Sequence, residues 1–184
     1  MSKEILFGRG NSGTKLAENY LRDMMVVSAL IAPDPYATVS IIASAVAELD
    51  SVGQKGFLRT LFQHMASEGG IEVTNRRDAA FTILTEAMTP LVKTNQPFVC
   101  NAYISAVQAQ TGKNDPFCGS IYTLLEVGKA IAPYFSKGIH SKKLITAWTP
   151  VIKEFSREGA LKEKVQIHLE VEEIKERISS TDVT

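Results

Sequence analysis

The chain is poor in the residues from which reactive centres are usually built. It holds two cysteines, three histidines and one tryptophan among 184 residues. His64, His140 and His168 lie far apart in sequence, and none stands in His-x-x-x-His spacing, so no metal site is expected. No serine occupies a Gly-x-Ser-x-Gly elbow, which removes that hydrolase signature. Long apolar runs are missing too. The richest, Met24–Ala32 and Val39–Val46, break well short of the roughly 18 residues that a membrane helix needs. The start of the chain has Lys3, Glu4 and then a glycine loop, without the apolar centre of a secretion signal. With no such signal, Cys100 and Cys118 are expected to be reduced thiols in the cytoplasm. A disulfide between them, closing a short loop, stays open as the alternative. Net charge is zero, whereas a strong nucleic-acid binder is usually basic overall.

What the chain does have is helical periodicity in segment after segment. An apolar fraction of 45% is ordinary for a globular protein. One domain is expected, with two small lobes as the alternative. At this size about 70% of the unfolded surface is buried on folding, enough to dispense with metals or disulfides. Leu16, Tyr20, Met24, Val27 and Ile31 mark one face of a helix over about 14–31, which Pro33 stops. Asp34-Pro35 then reads as a cap and first turn for a helix over about 35–50, with Val39, Ile42, Val46 and Leu49 inward. After Gly53, the spacing of Phe57, Leu58, Leu61, Phe62 and Met65 predicts a helix over about 54–67. Gly69-Gly70 is a break and 71–74 a short extended piece. Asn75 is the expected cap of a helix over about 76–93, which Pro90 should kink or restart.

Helices over about 97–110 and 116–131 both open on proline followed by an aromatic residue, Pro97-Phe98 and Pro116-Phe117, with Asp115 as the expected cap of the second. A further helix over about 141–157 starts at Ser141 and buries Leu144, Trp148, Val151 and Phe155. Residues 84–93 and 144–153 echo each other through Thr-Pro, which suggests two kinked helices with similar packing. The stretch from Ala160 to Ile178 lacks Gly and Pro and favours a helix. Residues 165–171 nevertheless alternate as a strand would, and 4–7 and 71–74 would be its partners. Read as a helix, this stretch carries two apolar stripes, Leu161, Val165, Leu169 and Ile167, Val171, Ile174, Ile178. A helix apolar on two sides needs two things to pack against.

The sharpest motif is Gly8-Arg9-Gly10-Asn11-Ser12-Gly13, which reads G-x-G-x-x-G after the strand-like 4–7, with Asp34 lying 21 residues beyond Gly13. Over about thirty residues it resembles the fingerprint of Rossmann dinucleotide-binding folds. That resemblance would give Gly8, Gly10 and Gly13 to a pyrophosphate and Asp34 to a ribose. The second strand would then have to come from within the 14–31 helix pattern, and no later parallel strands follow. A near match to a P-loop fails because Thr14-Lys15 reverses the order that the chemistry needs. The preferred reading is a flexible glycine-rich arm whose Asn11 or Ser12 caps the next helix. Cys100 and Cys118 fall near helix starts, where a dipole lowers a thiol pKa, but buried, inert cysteines are the commoner case. Glu86 and Glu126 are isolated acids in apolar helices, expected to be exposed or paired with lysine.

Charge is uneven along the chain. Residues 76–153 carry nine basic and four acidic side chains, whereas both flanks are net acidic. The loop 136–143, with Lys137, His140, Lys142, Lys143 and Ser141 as cap, is the best anion site, and Asn75-Arg76-Arg77 is a second. These features together predict a mainly α-helical, single-domain bundle of seven or eight helices: an N-terminal arm (1–13), a helical core (14–158) and a C-terminal helix and tail (159–184). The expected function is non-enzymatic, with no catalytic residues, cofactor or metal. It is self-assembly or scaffolding through protein contacts, with Ile167, Val171, Ile174 and Ile178 as candidate interface residues and a homo-oligomer or helical partner. Two alternatives stand beside it. One is a nucleic-acid-packaging, coat-like protein, placed in a viral particle, using Arg76, Arg77, Lys137, His140, Lys142 and Lys143; the other is a small nucleotide-binding enzyme using the glycine loop.

Overall fold

The computed structural model describes residues 35–67, 69–111, 119–135, 139–155 and 161–180. Among them the chain is mainly helical, as expected, and none of the possible short strands is present. The helices are α1 (Pro35–Ala47), α2 (Ser51–Met65), α3 (Ile71–Ala87), α4 (Thr89–Thr94), α5 (Gln96–Gln108), α6 (Gly119–Ile131), α7 (Ile139–Phe155) and α8 (Leu161–Ser180), with a 3-10 turn at Ala132–Tyr134. The glycine motif, Asp34, the expected 14–31 helix and the expected strand at 4–7 lie outside the described residues, as do Asp115, Cys118 and Lys137.

Local chemistry sets the helix boundaries. Asp50 caps α2 by accepting from the Gly53 N–H at 2.8 Å, so the helix starts at Ser51 and Gly53, expected as a separator, sits in its first turn. A side chain there would press on Leu49. Ile71–Thr74 is not the extended piece expected from its pattern; it is the first turn of α3, whose cap residue is Gly70. Gly69 turns the chain at φ 155°, packed so closely that a Cβ would stand 2.6 Å from Val73 Cγ2. Glu72 lies in that first turn, where the helix dipole favours a carboxylate. Asn75 is therefore inside a helix and caps nothing. The strand alternation at 165–171 is likewise overruled, since those residues form the centre of α8.

Proline acts differently in the two echoing segments. At Pro90 the helix ends and restarts, with Met88 N–H bonding back to Ile83 and Val92 to Met88. At Pro150 α7 runs through. Met88 and Trp148, which occupy matching places in the echo, are both fully buried.

The helices enclose one continuous cluster of buried side chains. α5 packs against α2, α6 and α7, while α8 closes the far side against α6, α7 and the 3-10 turn. Tyr103 of α5 is fully buried where these elements meet. Its hydroxyl donates to the Leu124 carbonyl of α6 at 2.8 Å. Its ring meets Phe62 edge-on at 6.4 Å and Phe135 at a tilt at 6.5 Å. Burial holds the phenol proton well above its ordinary pKa, so Tyr103 is a fixed donor. Gly128, one turn beyond Leu124, lets Tyr103 and Ile174 of α8 close on the α6 backbone; a Cβ there would collide with the Tyr103 hydroxyl and stand 2.6 Å from Ile174 Cδ1. Lys129 ties the same two helices at the surface, paired with Glu126 and, at 3.2 Å, with Glu170.

Gly128→Ala gains about 1 kcal/mol of helix propensity but overpacks a site where such strain costs about 1–3 kcal/mol. Thermal denaturation should show a melting temperature lowered by a few degrees. In a Tyr103→Phe background, which removes the colliding hydroxyl, the same substitution should cost less. Equal costs in the two backgrounds would show that the hydroxyl does not set the spacing.

Candidate functional site

The basic middle of the chain sorts into structural and free charges. Arg77 is buried, its Nη1 donating to the Ser67 carbonyl and its Nη2 to Thr74 Oγ1, both at 3.0 Å. It braces the turn before α3 and packs under the start of α6, where a Cβ at Gly119 would touch its guanidinium. Arg76 is half-buried on the same helix, in its second turn and away from any free helix end. Lys129 is held by two carboxylates, which raise its pKa, Glu126 foremost. Lys93 lies 5.5 Å from the Tyr134 ring.

Lys142 and Lys143 are exposed in the first turns of α7. Ser141 is not the cap expected from its position: α7 starts at Ile139, which places Ser141 within the first turn with its Oγ buried. His140 packs against Phe135 at 5.7 Å. Burial, followed by the charge of Lys143, lowers its pKa, so at neutral pH it adds no positive charge to the loop.

Lys142 and Lys143 line a cleft of about 490 Å³ between α5 and α7, with Asn101, Ile104, Gln108 and Thr146. On the other side of α5 a second cleft of about 570 Å³ lies against α2, floored by Phe62, Ala102 and Ala106 and rimmed by Arg59, Phe98 and Ser105. Asn101 lines both, so α5 is a ridge between two recesses. The Arg59 guanidinium stands 5.5 Å over the Phe98 ring. Sequence reasoning picked out Lys142 and Lys143 but missed Arg59, Phe98 and Asn101. The signal was available: no Asp or Glu occurs in 51–67, 87–114 or 127–153, runs that take in α2, α5 and most of α7.

The C-terminal helix offers a second surface. Ile167, Val171, Ile174 and Ile178, the candidate interface residues, lie in the core against the body of the bundle. The stripe left open is the opposite one, where Leu161, Val165 and Leu169 are 68%, 50% and 59% exposed.

Other chemistry is sparse among the described residues. No group of three His, Cys, Asp or Glu side chains could hold a metal ion there. No described helix is long and apolar enough to cross a membrane. The parallel strands that a dinucleotide-binding fold needs beyond Asp34 are absent among the described residues, because that part of the chain is helical. Cys100 is buried on α5 as a free thiol, and desolvation pushes its pKa up to about 11, against a smaller lowering by Lys143. Comparison of the chain with protein families, curated proteins and solved structures finds no match.

Two expectations follow from these environments. A thiol with so high a pKa has almost no thiolate at neutral pH. In a Cys118→Ser background, native protein should leave Cys100 unlabelled by a disulfide reagent and unfolded protein should label fully; fast native labelling would contradict the burial. His140 titrates below its ordinary value of about 6.5, so the folded state binds fewer protons than the unfolded chain near that value. Its contribution to stability is present above that pH and is lost as pH falls through the lower folded value. Melting temperatures measured across this range should fall less steeply on acidification in His140→Gln, and identical profiles would contradict the assignment.

Proposed function

We propose that this chain is a non-enzymatic assembly protein whose α8 helix is shared between its own core and a second copy. The observation that carries this reading is the outward stripe of α8. Leu161, Val165 and Leu169 recur every four residues, so they line one side of the helix over more than two turns. Scattered single apolar side chains are ordinary on a surface, but an aligned row on one helix favours a partner helix. A second copy presents the same row, which makes an isologous pair of α8 helices the simplest closed arrangement. The free, buried Cys100 thiol accords with a reducing, cytoplasmic setting.

The inward stripe makes deletion of α8 uninformative, because cutting near Gly159 removes Ile167, Val171, Ile174 and Ile178 from the core and tests folding instead. Surface changes separate the two roles. Light scattering over a concentration series should show a dimer or larger species for the whole chain and a monomer for Val165→Lys/Leu169→Lys. The melting temperature of the dissociated monomer should stay well defined, because both positions are solvent-facing in the fold. A strict monomer for the unaltered chain, or an unchanged mass for the variant, removes the proposal.

A further inference from the structure

We infer that the face built by α2, α5 and α7 is a binding surface for single-stranded nucleic acid. Three features of different kinds carry this. The first is charge. Arg59, Lys142 and Lys143 stand on or beside the two clefts, and Lys153 continues the exposed α7 row Lys142, Thr146, Thr149. Eleven residues of helix set Lys142 and Lys153 about 16 Å apart on nearly the same side. No carboxylate lies on α2 or α5, and α7 has only Glu154. A phosphate chain crossing this face meets cations with almost no opposing charge.

The second feature is shape. The clefts of about 570 and 490 Å³ flank one ridge, and recesses of this size accept a splayed-out base beside a backbone that follows the ridge. The larger one has Phe98 at its rim and Phe62 in its floor; aromatic and apolar surfaces stack bases without regard to sequence. The third is the neutral polar set, Gln63, Asn101, Ser105 and Gln108, whose amides and hydroxyl can bond phosphate, sugar or base edges, while the Thr146 hydroxyl, which donates to the Lys142 carbonyl, is left as an acceptor.

These features also separate single strands from other polyanions. Paired bases are not free to enter a recess, so a duplex could use only the charges. A membrane surface or an acidic protein would need apolar anchors, but of the large exposed apolar side chains among the described residues none is on α5 or α7, and the one on α2, Val52 in its first turn, lines neither cleft. The inference is independent of the assembly proposal, which uses α8.

The test is fluorescence anisotropy with a labelled 20-nucleotide mixed-sequence RNA and the full chain. Three to four phosphate contacts on a single strand predict affinity falling roughly 20- to 50-fold between 50 and 200 mM salt. Lys142→Glu/Lys143→Glu should weaken binding at least tenfold, and Arg59→Ala several-fold. Lys162→Glu/Lys175→Glu on α8, with the same change in net charge, should leave it unaltered. Circular dichroism and light scattering on every variant separate lost binding from lost fold or lost oligomer. Absent binding at 50 mM salt, salt-independent binding, or equal loss in the α8 control overturns the inference. Equal or tighter binding of the matched duplex, or of polyglutamate, overturns it as well.

Discussion

The buried contact between Tyr103, Leu124 and Gly128 sets the spacing of the bundle. A phenol in a dry core must find an acceptor, and the Tyr103 hydroxyl finds the Leu124 carbonyl of the neighbouring helix. That carbonyl is also the one that the helix ladder assigns to the Gly128 N–H. The residue that completes the ladder is thus the residue whose missing side chain makes room for the phenol. Ile174 fills the remaining space from α8. Three helices are held at one point by a hydrogen bond, a gap and a methyl group, and the aromatic contacts to Phe62 and Phe135 extend the same point to α2 and to the turn after α6.

That arrangement decides which faces are left over. α5 spends its inward side on Cys100, Tyr103 and Val107 and keeps Asn101, Ser105 and Gln108 for the surface. Because α2 and α7 pack on either side of it, the neutral polar ridge is flanked by the cations that those helices carry. α8 turns one apolar row inward and leaves the other open. The two surfaces differ in kind: one is polar, cationic and recessed, the other a plain apolar row.

Much of the helical layout was legible in the sequence because burial repeats every three to four residues, and Phe57, Leu61, Leu84, Leu124, Leu144 and Ile174 follow that spacing into the core. The restart at Pro90 followed from a missing donor. What escaped was decided by contacts distant in sequence. Asn75 had the chemistry of a cap, but the Gly69-Gly70 turn lets the helix begin a turn earlier. Arg77 looked like a free cation, but the Ser67 carbonyl and Thr74 hydroxyl claim it. The two stripes of α8 could be told apart only once α6 and α7 were in place to cover one of them. The recessed face escaped because it joins residues from three helices, and only its shortage of carboxylates is written locally.

The inward row of α8 also bears on how the chain reaches its native state during synthesis. Of the described helices it leaves the ribosome last, yet it supplies Ile167, Val171, Ile174 and Ile178 to the core, packed against α6, α7 and the 3-10 turn. Until it emerges, the cleft beside Gly128 and Tyr103 has no lid, and a nascent chain shows that apolar seam to whatever surrounds it. Native closure therefore waits until α8 has followed the other described helices out of the ribosome, and the interval before it is when a chaperone or a neighbouring nascent copy would meet the exposed seam.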